Sequence, residues 1–182
     1  MVRALLVFVG TTVALSLSAC SPSLDKQVLG KWKYSVTLDV NLDDKDANGP
    51  GRMKLDCSYE LFENKSSTAD CKYQFGGETK GEDGAPIKMA VEGSLKATGE
   101  WSITDRIILD KVVDSKATVD VFTVNDAKID DPAVIENLRG EMNSTFVKGE
   151  TSKLKTLAID KDKWSFEQEV DGKPVAVTAT RS

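Results

Sequence analysis

The chain contains no histidine, and after residue 19 it has no uncharged run long enough to span a bilayer. Without histidine there is no Ser-His-Asp or Cys-His nucleophile, no His-ligated zinc, and not the commonest general base near neutral pH. Cysteine is scarce: Cys20, Cys57 and Cys71 are the only three, too few for a zinc site built from thiolates, and none forms a C-x-x-C pair suited to redox chemistry. Ser23-Leu24-Asp25-Lys26 spells S-x-x-K, but activation of serine by lysine needs a buried, desolvated amine, and this stretch stands three residues from Cys20. Glu82 with Asp83, Asp130 with Asp131, and Glu167 with Glu169 are carboxylate pairs, yet nothing in their spacing sets two of them across a cleft. The 24 basic residues are scattered among 29 acidic ones for a net charge of -5, which disfavours capture of nucleic-acid phosphates. The chain is therefore expected to bind rather than to catalyse, and it calls for no cofactor.

What is present begins with Arg3 and the uncharged residues 4–19, which are too few for a comfortable span and end in small side chains, as a secretory leader does. Leu17-Ser18-Ala19-Cys20 resembles the lipobox of bacterial lipoproteins. That resemblance implies cleavage before Cys20, a diacylglycerol on its sulfur, and stable anchoring by palmitate-like acyl chains. Ser21 stands where many inner-membrane lipoproteins carry Asp, so the resemblance points to the outer membrane, with the domain facing the periplasm. The expected organisation is a leader over 1–19, a lipidated tether over 20–28 and one β-rich domain over 29–182. Fully extended, such a tether reaches roughly 30–35 Å, so the domain would work close to its membrane.

In an oxidising periplasm the remaining Cys57 and Cys71 are expected to form a disulfide. Met53, Leu55, Cys57, Tyr59 and Leu61 alternate with polar residues, as do Ala69, Cys71, Tyr73 and Phe75, which predicts two half-buried strands with inward cysteines. With residues 63–65 at a hairpin tip, pairing symmetric about Asn64 sets Cys57 opposite Cys71.

The same alternation recurs in Trp32, Tyr34, Val36, Leu38 and Val40, and in Ile87, Met89, Val91, Leu95 and Ala97, where Gly93 suggests a bulge or bend. It continues in Trp101 with Ile103, in Ile107 to Leu109, and in Ala117, Val119 and Val121. Trp164, Phe166, Gln168 and Val170 precede an Asp171-Gly172 turn, after which Val175, Val177 and Ala179 follow. One amphipathic helix interrupts the strands: Asp131 can cap it and Pro132 fits its first turn. Val134, Ile135, Leu138, Met142 and Phe146 give it an apolar stripe, and Gly149 can end it. The expected fold is mainly β, an antiparallel barrel or closed sheet of about 9–10 strands.

Leu29-Gly30-Lys31-Trp32 is similar to the G-x-W of lipocalins and lipocalin-like domains, whose Trp plugs the closed end of a barrel that often holds an apolar ligand. Gly99-Glu100-Trp101, with Ser102 to Asp105 and Ile107 to Leu109, resembles the glycine-tryptophan strand and hairpin of small bacterial lipocalin-like lipoproteins. Two features depart from that family: three strands follow the helix, and the sequence offers no match for the family's later arginine. The resemblance implies an interior in which Trp32, Tyr34, Tyr59, Tyr73, Phe75 and Trp101 line a site for a lipid or another apolar molecule. The same side chains could instead fill a dry core. The alternative function is a protein interaction or inhibition in the envelope, through an edge strand, the acidic 41–51 loop or the 76–86 loop.

Asp44, Asp46, Asn48 and Gly49 fit the opening of a calcium loop, D-x-[DN]-x-[DN]-G. Position 12 of that loop falls on Leu55, where a bidentate Glu is required, and the flanks are strands rather than helices. The segment reads as a solvated turn, with a weak calcium site built on Asp44, Asp46 and Asn48 as the alternative. The anchoring expectation has a direct check: Cys20→Ala should release a folded protein from the membrane fraction, and a variant that stays there after a salt wash would refute lipidation at Cys20.

Overall fold

A computed structural model describes residues 22–41, 50–81, 83–145, 148–170 and 172–182. The elements are α1 (Leu24–Gln27), β1 (Gly30–Asn41), β2 (Pro50–Leu61), β3 (Ser66–Lys80), β4 (Pro86–Thr104), β5 (Ile107–Val124), β6 (Ala127–Lys128), α2 (Pro132–Thr145), β7 (Thr151–Ile159), β8 (Lys163–Val170) and β9 (Lys173–Arg181). All strand pairs are antiparallel. β1 to β5 follow one another as neighbours, β5 pairs with β7, β7 to β9 continue the wall, and β9 returns to β1. Eight strands thus close a lipocalin-like barrel, and β6 stands outside the ring on β5. A ring of eight leaves an interior that side chains can fill.

The alternation expected from the sequence sets the inward faces, and Cys57 lies directly opposite Cys71, bridged across β2 and β3 at a Cα separation of 4.0 Å. The run expected over Ile87 to Ala97 and the piece at Trp101 and Ile103 are one strand, because β4 runs unbroken and the bulges lie opposite it on β5, at Asp120 across from Glu92 and Gly93 and at Val113 across from Thr98 and Gly99. The runs Ile107 to Leu109 and Ala117 to Val121 likewise merge into β5. A tight turn through Asp105 and Arg106, both with positive φ, joins the two long strands.

α2 begins as its sequence suggests. Asp131 Oδ1 accepts from Ala133 N (2.8 Å) and Val134 N (3.3 Å), and Pro132 opens the helix. Ile135, Leu138 and Met142 pack on the inner face of β3, β4 and β5, against Tyr73, Val91 and Val119. Val134 departs from the expected stripe and is 40% exposed, since the face that meets the barrel is carried by positions 135, 138 and 142. Phe146, Asp171 and Glu82 lie outside the described residues. Gly149, read as the end of the helix, has φ +91° and donates its N–H to Val112 O, which turns the chain back onto β5.

The largest difference from expectation is at the N-terminus. Part of the expected tether, Leu24–Gln27, is a helical turn, and Val28 behind it is fully buried. Leu24, Val28 and Leu29 are apolar, and they cover the end of the barrel where Trp32 sits instead of remaining in solvent. Trp32 Nε1 donates to Val28 O at 2.7 Å. Arg181 was not foreseen: its guanidinium lies 4.2 Å from the Trp32 ring and donates to Gln27 O, Leu29 O and Lys161 O. Gly30 is required there, since its φ is +101° and a Cβ added to it would lie only 3.0 Å from Arg181 Nη1.

Replacing both Cys57 and Cys71 by Ala should lower the unfolding free energy by about 3 kcal/mol, the loop-entropy value for a short bridged loop. Urea titration would show it as an earlier midpoint; an unchanged midpoint would mean that the hairpin register alone holds these strands.

Candidate functional site inside the barrel

The two ends of the barrel are chemically different. At the end covered by α1, Trp32 and Trp164 are fully buried and meet edge to face at 5.7 Å, Trp164 and Phe166 lie 4.5 Å apart, and Tyr59 stacks on Trp164 at 6.4 Å. Val28, Leu61, Ile108, Leu154 and Ala179 fill the space among them. This end is packed like a core.

Four of the six residues expected to line a ligand site are therefore buried, and each spends its polar atom on the protein. Trp32 bonds Val28 as above, Trp101 Nε1 donates to Phe62 O (3.2 Å), and Tyr59 Oη donates to Asp110 Oδ2 (2.8 Å). Tyr73 Oη donates to Thr118 O at 2.6 Å. Lys65 Nζ caps the Trp101 ring from 3.8 Å, and a Cβ at Gly93 would lie 2.5 Å from Tyr73 Oη, so that glycine leaves the space Tyr73 occupies. Tyr34 is level with the disulfide and meets the Phe166 ring of the filled end edge to face at 6.0 Å, so only Phe75 remains half-buried nearer the open end.

Asp110 was not foreseen. It lies in the inward phase of β5, opposite Trp101 and two residues beyond the buried Ile108. Its carboxylate accepts from Tyr59 Oη and, at 2.7 Å, from Ser67 Oγ. Gly99 makes room for this arrangement, because a Cβ there would lie 2.5 Å from Asp110 Oδ1 and 2.6 Å from Ser67 Oγ. No described cation pairs with Asp110. An Asp at an inward position of a strand was the available signal, but the bulge at Val113 of β5 shifts the phase between Asp110 and the apolar positions from Ala117 onward.

The charge of Asp110 is felt by its neighbours. Burial, then that charge, pushes the Tyr34 phenol up to about 12, and burial with the charge and hydrogen bond of Asp110 pushes Tyr59 well above its ordinary value. Tyr73 is raised too, by burial and then by Asp120. The cluster offers negative charge and protonated hydroxyls rather than a matched acid and base.

Beyond the Cys57–Cys71 bridge the packing is uneven. Leu55 and Phe75 join Tyr73, Val91 and Val119 under α2, whereas Leu38 of β1 and Met53 of β2 point inward and are only half-buried. Leu38 and Met53 belong to none of the packed clusters. Among the described residues no group of three metal-ligating side chains gathers and no helix is long and apolar enough to cross a membrane. Cys20 and the calcium-loop residues Asp44, Asp46 and Asn48 lie outside the described residues.

No family model matches the chain, and no curated protein matches it closely enough to count as a relative. The lipocalin-like likeness is one of barrel architecture.

The tyrosines give a pH prediction. All three phenols have folded-state values above the unfolded one of about 10. Their contribution to stability is complete below that value and is lost as pH rises through the folded-state values. Absorbance at 295 nm should thus stay flat through pH ~10 and rise together with unfolding; half-ionisation of one phenol in the folded protein at that pH would contradict the burial described.

Proposed function

We propose that this chain is a lipid-anchored binding protein of the bacterial cell envelope whose barrel takes a lipid or another apolar molecule at its open end. The anchor is Cys20, and the membrane is the outer one, with the domain on its periplasmic side. One observation carries the ligand reading: the inward apolar side chains Leu38 and Met53 stay partly open and join no packed cluster, with Val36, Leu55 and Phe75 half-buried beside them, whereas the opposite end of the same interior is filled. Half-exposed apolar surface on a concave wall favours an apolar occupant, since covering it releases about 25 cal/mol per Å². α2 lies along that end with Ile135, Leu138 and Met142 turned inward, and so forms one side of the entrance.

The aromatics first expected to touch the ligand take a different part in this reading. Trp32, Tyr34, Tyr59, Tyr73 and Trp101 are the floor and frame, and Phe75 is the contact. The lipobox and the absence of histidine agree with a binding role near a membrane.

Titration with N-phenyl-1-naphthylamine, a dye that brightens in apolar surroundings, tests the site. Saturable brightening is expected, with Leu38→Asp or Met53→Glu weakening it about tenfold or more, since placing a charge against the ligand costs upwards of about 1.4 kcal/mol. Both positions are half-exposed, so the thermal midpoint should move little. A dye that finds no site in the wild-type protein, in parallel with a bare mass in native mass spectrometry, would overturn the reading.

A further inference from the structure

Closure leaves one wall of the barrel half-made. β1 pairs with β2 along all twelve of its residues, yet meets β9 only at Trp32 and Lys33. In an antiparallel ladder successive residues point their backbone groups to opposite sides. Lys31 O accepts from Ser182 N (3.0 Å) and Lys33 O from Thr180 Oγ1 (3.5 Å), so the odd-numbered residues of β1 face β9. Ser35, Thr37 and Asp39 continue that phase, and no described strand pairs with their N–H and C=O groups.

The chain guards its other long edge. Past Lys111, β5 is occupied by Val112 N donating to Glu150 O (2.9 Å), by Ala117 N donating to Asn143 Oδ1 (2.7 Å), and by β6 at Thr123 and Val124. Residues 34–39 contain no proline or lysine and Asp39 is their one charge, their register with β2 is free of bulges, and among the described residues no helix covers them, since α2 packs on β5. Their inward neighbours are Val36 and Leu38.

A groove of about 610 Å³ crosses the outer wall at the foot of this free edge, lined in part by Lys31, Lys33, Ser35, Ser58, Lys72 and Thr180. Its carboxylates are already engaged, Asp56 by Lys54 at 2.9 Å and Asp70 by Lys96 at 3.8 Å. Higher on the strand Asp39 faces Arg52 at 3.5 Å. Lys31, Lys33 and Lys72 form no ion pair with any described residue, and the buried Ser58 hydroxyl oxygen has no hydrogen-bond partner. Three lysines and two carboxylates line the groove, which leaves one positive charge in excess beside an unmet polar atom.

We propose that the free edge of β1 docks an extended acidic segment of another protein, which adds as a strand antiparallel to residues 35–39. β1 runs away from the lysine groove, so an antiparallel strand runs toward it and brings its C-terminal end there. Carboxylates at that end meet Lys31, Lys33 and Lys72, alternate apolar side chains turn in toward Val36 and Leu38, and the backbone groups of Ser35, Thr37 and Asp39 supply the pairing. The two sites share Val36 and Leu38, but the backbone pairing of Ser35, Thr37 and Asp39 and the lysine groove do not depend on an apolar ligand.

The experiment uses the full chain in detergent and a fluorescein-labelled octapeptide, Val-Thr-Val-Thr-Val-Ser-Asp-Glu, beside a control in which the last two residues are Lys-Lys. Saturable anisotropy is expected for the acidic peptide, at least about tenfold tighter than for the control and weakening with salt. Hydrogen exchange at Ser35, Thr37 and Asp39 should be fast in the free protein and slow in the complex. Thr37→Pro should abolish binding; it removes an unpaired N–H on an edge, where proline is tolerated. Should that variant misfold, Lys33→Glu with Lys72→Glu leaves the backbone untouched and should reverse the preference between the two peptides. Absence of binding, or edge amides already protected in the free protein, would overturn the proposal. Protection that grows with protein concentration without peptide would also overturn it, by making a second copy the occupant.

Discussion

The guanidinium of Arg181 is the tie on which the barrel depends. First and last strands share only two residue pairs, so the backbone alone joins them weakly. Arg181 adds donation to Gln27 O (2.8 Å), Leu29 O (2.6 Å) and Lys161 O (2.7 Å), and lies over the face of Trp32. A planar fork of five donors suits this task, because it can bond several carbonyls at once while its flat face rests on an indole. The apolar turn α1 is held in place by the same group, and with it the cover over the packed end. Lysine could replace the charge but not the fork.

Two glycines set where the interior can hold large or polar groups. Gly93 sits across the β3–β4 ladder from Tyr73 and Gly99 across it from Ser67, each beside a bulge in the facing strand β5. At the first, the absent side chain lets a tyrosine ring lie on the strand; at the second, it lets a carboxylate and a hydroxyl meet inside the wall. An inward Asp without a cation is costly unless hydrogen bonds hold it, and Tyr59 and Ser67 supply them. Substituting either glycine would force movement of backbone or of buried groups.

Much of this architecture was legible in the residue order. Counting symmetrically from Asn64 placed Cys57 opposite Cys71, because hairpin register follows from a tip and an alternation. Asp131-Pro132 marked the start of α2 by capping chemistry that is local. What failed to show was non-local. Arg181 stands next to the last residue with no pattern around it, and its importance arises only when β9 comes beside Trp32. Bulges in β5, at Val113 and Asp120, broke its alternation, so that strand looked like two short ones and Asp110 lost its phase relative to Ala117 and Val119. The half-open set Leu38, Met53 and Phe75 could not be separated from the buried aromatics either, since both share the same alternation and differ only in how far along the barrel they lie.

The join between chain ends also sets the order of folding. Gln27 and Arg181, which bond each other, are 154 residues apart in sequence. Hairpins β1–β2 and β2–β3 can form as soon as their residues exist, but the ring cannot shut until the last strand is made. Contacts of such separation slow folding, because the entropy of a long loop is lost before the contact forms. Throughout that interval the whole outer edge of β1, with the surface of Trp32 beside it, has no partner. Nascent chains of this protein therefore pass through a stage in which their earliest strand is the one most open to association, and whatever accompanies the chain at that stage must shield it until Arg181 arrives.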